Sequence, residues 1–137
     1  MQLFDYPLSG HSHRARLFLS LVNQPVDLVG VDIARCKNKS EEFRTLNRFG
    51  QVPVLKDSDV VIADSNAILV YLAKKLGRSD WLPEDPAETA SVQRWLSIAA
   101  GELAYGIAAA RRMGLFSSSR YPRKSVCDPA RCWTSWM

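Results

Sequence analysis

The sequence predicts an α/β domain followed by a partial all-α C-terminal domain, and three observations carry that expectation. Short apolar runs of strand length alternate with helix-period segments over residues 1–77, in the order β-α-β-α-β-β-α. Proline and glycine sit at the joints between them. From Pro86 one long amphipathic pattern takes over and no further strand follows it.

Residues 2–6 read as a strand that stops at Pro7, and residues 7–11 form a turn carrying Pro, Ser and Gly. A helix follows, with Ser12 as its expected cap and Leu17, Phe18, Leu21 and Val22 as its buried face. Residues 26–33 read as a buried second strand, parallel to the first because a helix connects them. Ser40, with Glu41 and Glu42 behind it, opens a short helix that Gly50 is expected to end. Residues 52–55 and 60–62 are two strands joined by the four residues 56–59, a hairpin length. Asp64 caps the next helix, whose apolar face is Ile68, Leu69, Leu72 and Leu76, and Gly77 suits the position just past its end. After a linker over residues 78–85, a single helix is expected from Pro86 to about Met113. From Ser117 neither helical nor strand periodicity continues.

At 137 residues, 47% hydrophobic and 23% charged, the chain has a globular composition with room for one full core. Disorder, collagen and coiled coil are excluded. The formal charge of +4 invites a nucleic-acid or membrane partner, but its placement argues otherwise. Residues 1–116 carry 14 basic and 13 acidic groups, while residues 117–137 carry 4 and 1. The longest apolar stretch, AILVYLA over residues 67–73, is far shorter than the roughly 20 residues of a membrane span. No nucleic-acid or membrane partner is therefore expected, and a cytoplasmic location is. The three cysteines, Cys36, Cys127 and Cys132, are odd in number and widely spaced, unlike a secreted disulfide framework. His11 and His13 have no third ligand near them, so no metal site is expected.

The element order, with an X-Pro step at Val52-Pro53 opening the third strand, resembles the thioredoxin-like fold, and three stretches narrow the resemblance. DYPLSGHSHRARLFLSL, NRFGQVPVL and ADSNAILVYLAKKLG are similar, in order and distance, to the signature stretches of the N-terminal domain of glutathione S-transferases. The likeness is to bacterial-type members with a serine in the first turn. It implies a thioredoxin-like glutathione-binding domain over residues 1–77, the linker 78–85, and the first helix of an incomplete all-α domain over residues 86–116. Residues 117–137 depart from the family pattern, and a truncated or frameshifted C-terminus is the expectation drawn from that departure.

The resemblance implies glutathione as co-substrate, an electrophilic small molecule as its acceptor, and a homodimer for the complete family member. A free thiol of pKa near 8.5 is only about 3% thiolate at pH 7, and lowering that value by about 2 units is worth about 2.7 kcal/mol. Hydrogen-bond donors aimed at the sulfur, with the positive end of a helix, supply such a shift. The first turn holds Ser9-Gly10-His11-Ser12 where dithiol oxidoreductases carry Cys-x-x-Cys, so disulfide exchange is not expected here. By resemblance Ser9 is the activating hydroxyl, Ser12 its alternative, and His11 a second polar group beside the sulfur. Val52 and the cis proline Pro53 would meet the cysteinyl backbone of glutathione. Asp64 and Ser65 would take the γ-glutamyl end, and Lys39, or else Lys37, the glycyl carboxylate. Arg14 and Arg16 are expected to face solvent or the second domain, and Tyr105, Arg111 and Arg112 are left outside the site. The competing expectations are a non-catalytic, partner-binding scaffold of the same fold and an inactive truncated fragment.

Overall fold

β1 (Gln2–Asp5) and β2 (Asp27–Gly30) run parallel, with Leu3 opposite Leu28, because α1 (Gly10–Leu21) carries the chain back between them. β3 (Val54–Asp57) and β4 (Val60–Ala63) are antiparallel to their neighbours, which gives one four-stranded mixed sheet in the order β2-β1-β3-β4. The computed structural model describes residues 1–116; the expectations for residues 117–137, including Cys127 and Cys132, fall outside them.

The alternation of each strand decides what packs where. Leu3 and Leu55, paired in register, are fully buried on the face covered by α1 and by α3 (Ser65–Lys75). Ala15, Phe18 and Leu19 come from α1, and Ile68, Leu72 and Ala73 from α3. Phe4 and Val54 point the other way and join Val31 and Phe43, the latter from α2 (Glu41–Leu46). The segment after α3 returns to the first core, with Leu82 buried and Trp81 set edge-on to Phe18 at 5.2 Å. Among the described residues no helix is long and apolar enough to cross a membrane.

Several expected boundaries move, each for a local reason. The cap of α1 is Ser9, not Ser12: Ser9 is extended (φ −79°, ψ 120°) and its Oγ accepts from Ser12 N, so Ser12 lies inside the first turn and is fully buried. β2 is shorter than the apolar run and is not buried throughout, since it is the outer strand and Leu28 is 56% exposed. Ser40 caps α2 as expected, but the helix ends at Leu46. Gly50 stands in the turn beyond, at φ +61°, where a Cβ would meet the Asn38 carbonyl at 2.4 Å. The hairpin turn is two residues rather than four, because pairing continues to Asp57 and Val60 and Ser58 accepts a positive φ of 54°.

The long helix is not continuous. α4 (Pro86–Ile98) passes into a π-helical turn (Ala99–Leu103) before α5 (Ile107–Phe116). Gly106 lies at this break, where a Cβ would come within 2.7 Å of the Glu102 carbonyl. Trp95 and Ile107 on these helices are 71% and 73% exposed.

Candidate functional site

Three loops leave the sheet at one end because of its strand directions. β1 exits there toward Ser9, antiparallel β3 begins there just after Val52-Pro53, and β4 ends there at Ala63, opposite Val54. α1 and α3 both start at this end, so their N-termini, the positive ends of the helix dipoles, come together.

Ser9 Oγ accepts the Ser12 N–H at 3.2 Å, which occupies one lone pair and leaves its O–H to donate. Ser12 Oγ faces inward instead, 3.5 Å from Tyr6 N. His11 reaches across to α3, with Nδ1 3.3 Å from Ser65 Oγ. The Val52–Pro53 peptide is cis. Asp64 caps α3, its Oδ1 accepting from Asn66 N at 2.8 Å and Ala67 N at 3.1 Å, with its own backbone at φ 89°. Lys39 Nζ donates to the Phe49 carbonyl at 2.7 Å, which ties it to the loop leading into Val52, whereas Lys37 is exposed.

Ser65 is only 2% exposed, and its hydroxyl is already shared. Besides His11, Arg14 NH1 donates to it at 3.3 Å and also bonds Asn66 Oδ1. Asn66 in turn donates through Nδ2 to the Leu96 carbonyl of α4 at 2.9 Å. Arg14 therefore turns inward to α3 rather than to solvent. Arg16 is also redirected, pairing with buried Asp5 at 2.8 Å behind the turn. Sequence periodicity carried no sign of Arg14 as a site residue, since its partners lie 51 and 52 residues away. Arg111, expected outside the site, donates to the Leu8 carbonyl at 3.2 Å, one residue before Ser9. Tyr105 is exposed, and the Arg112 side chain lies outside the described ones.

A different charged cluster sits at the far end of the sheet, where Lys75 and the Tyr71 hydroxyl both bond Asp57. The Lys75 and Tyr71 bonds hold its carboxyl below the usual range, and Asp57 in turn holds Lys75 and Tyr71 above theirs. A surface depression of about 500 Å³, lined by Lys74, Gly77, Arg78, Leu82 and Glu84, lies beyond α3 and contains none of the residues around Ser9. No group of three or more metal-ligating side chains occurs among the described residues.

A model of the glutathione S-transferase N-terminal domain matches residues 1–74. The chain belongs to the glutathione S-transferase family. It is 40% identical over 85 residues to glutathione S-transferase 1 of Dianthus caryophyllus, an alignment covering 62% of this chain and 38% of that one. Human glutathione transferase theta-2, solved in complex with glutathione and an unknown ligand, superposes with a TM-score of 0.67 at 34% identity over 72% of this chain and 41% of that one. An epsilon-class glutathione S-transferase from the housefly, Musca domestica, superposes at 0.78 with 27% identity over 85% and 54%. The chain spans about two fifths of the length of the curated relatives it matches. Family membership accounts for the thioredoxin-like arrangement of the sheet and its helices.

Proposed function

We propose that this family member binds glutathione at the shared end of the sheet and transfers its sulfur to an electrophilic small molecule. The observation that carries the reading is Ser9: it stands at the positive end of α1 with its O–H left to donate. That hydroxyl holds the glutathione thiolate, and His11 stands beside it. Full burial of Ser12 supports Ser9 over Ser12 for this role. Val52 offers its backbone to the cysteinyl part beside Pro53, Lys39 meets the glycyl carboxylate, and Asp64 and Ser65 frame the γ-glutamyl end.

The step itself is simple. The thiol gives its proton to solvent, the thiolate attacks the electrophilic carbon, a carbon–sulfur bond forms, and the leaving group departs with its electron pair. No covalent bond to the protein is required. We take residues 1–77 as the glutathione-binding unit, residues 78–85 as the linker, and residues 86–116 as the first part of an all-α unit facing the electrophile. A cytoplasmic homodimer is the setting this reading carries for the complete protein.

Calorimetric titration of the chain with glutathione, followed by conjugation to a generic aromatic electrophile, tests the proposal. Saturable binding with turnover is the expected result. A folded chain that binds no glutathione overturns it. Binding without turnover favours the second reading, a non-catalytic scaffold or inactive fragment.

A further inference from the structure

Resting on that reading of the site, we propose that Arg111 selects the electrophile, favouring an apolar molecule that carries an anionic substituent such as a carboxylate. The helical segment meets the first turn where the exposed Arg111 guanidinium donates to the Leu8 carbonyl at 3.2 Å. Leu8 directly precedes Ser9, so a full positive charge stands beside the turn whose hydroxyl holds the sulfur. Its partner there is a neutral oxygen, which holds the side chain in place without cancelling its charge. A guanidinium has five N–H donors in a rigid fork that matches a carboxylate, and the Leu8 bond takes one of them.

The placement of the helical segment makes this charge part of the electrophile's path. Asn66 ties the segment to the first turn of α3 through the Leu96 carbonyl, and Arg111 ties it to the first turn of α1. The stretch between these two ties therefore runs past the end of the sheet where glutathione lies, and it forms the wall that a second substrate meets. Ile107 stands four residues before Arg111 on the same face of α5 and is exposed. An apolar side chain followed one turn later by a cation suits a ligand whose apolar body ends in an anion. Electrostatics favours the same choice. A thiolate repels an approaching anion, and a cation beside it offsets that repulsion. The positive end of α1, in the same turn, acts in the same sense.

Two conjugates that differ in one substituent read the charge: S-(4-carboxy-2-nitrophenyl)glutathione and its 4-carbamoyl counterpart. Both are finished products, so calorimetry with the full chain reads the wall whether or not the chain turns over. The carboxylate conjugate should bind about three- to tenfold more tightly at low salt, as expected for a partly exposed charge pair that also gains hydrogen bonds. The preference should shrink as salt is added. Arg111→Gln keeps a donor for the Leu8 carbonyl and removes the charge. It should bind glutathione and the carbamoyl conjugate as the unaltered chain does, and should lose the preference for the carboxylate. Arg111→Lys should keep part of that preference, and Arg111→Glu should reverse it. If Arg111→Gln weakens both conjugates equally, Arg111 is a tether only and the assignment is wrong. It is equally wrong if the unaltered chain binds both conjugates with the same affinity, and in either case the glutathione site stands. If the unaltered chain binds neither conjugate nor glutathione, the proposed function fails and this assignment with it.

Discussion

Replacing Ser9 by alanine should break two interactions whose consequences are read by different instruments. One is structural: Ser9 Oγ caps α1 by accepting from Ser12 N at 3.2 Å. Serine caps typically contribute about 1 kcal/mol, and a half-exposed bond of this length belongs at or below that value. The other is chemical. A hydrogen bond to a charged group contributes about 1.5–3 kcal/mol, so its loss should raise the pKa of the bound thiol by about 1 to 2 units. Urea unfolding followed by circular dichroism reads the first. Ultraviolet absorbance of the thiolate in the glutathione complex, titrated with pH, reads the second. Ser9→Asp separates them, because aspartate caps as well as serine but brings a negative charge to the sulfur. Stability should be held and the thiol pKa should rise. Ser12→Ala is the control, since the buried Ser12 hydroxyl should leave the thiol unchanged. If Ser9→Ala lowers stability while the bound thiol keeps its pKa, Ser9 is a helix cap and nothing more.

Gly50→Ala should cost more than about 1 kcal/mol in urea midpoint experiments, since the left-handed backbone disfavours a side chain and the Asn38 carbonyl occupies its space. An unchanged midpoint would mean that the loop before Val52 relaxes freely. Asp57→Asn should flatten the acid limb of the stability profile. The Asp57 carboxyl is depressed below its ordinary value of 3.8 by the Lys75 and Tyr71 bonds, so its stabilisation is complete above that value. It is lost as pH falls through the lower folded value, and denaturation midpoints between about pH 2 and 6 read the difference. Lys75, held above its usual value by the same bond, contributes stability that is lost as pH rises through its folded value. Asp57→Asn should therefore flatten the alkaline limb too, and a profile unchanged at both ends would refute the role of the pair.

The element order was legible because Pro7, Pro25, Gly50, Gly77 and Pro86 separate segments whose apolar periods differ. What stayed hidden depends on backbone angles and distant contacts. Ser9 and Ser12 are both good caps, and only the extended conformation of Ser9 decides between them. The hairpin length turns on whether Ser58 takes a positive φ, which its residue type does not announce. Leu28 has the chemistry of a core residue, but its strand is outermost in the sheet. The break in the long helix leaves the apolar period intact through Leu96, Leu103 and Ile107, so periodicity passes over it. Arg14 looked like a solvated helix residue because a charge reveals its partner only when another element folds against it.

The two tethers from the helical segment to the site differ in depth, and that difference has a kinetic meaning. Asn66 to Leu96 joins half-buried groups 30 residues apart, whereas Arg111 to Leu8 is an exposed bond spanning 103 residues. An exposed contact of such long range forms late in folding and opens at little free-energy cost in the folded state. The outer end of the helical segment can thus part from the Ser9 turn while its inner end stays tied to the first turn of α3, so the two ends of one wall open independently.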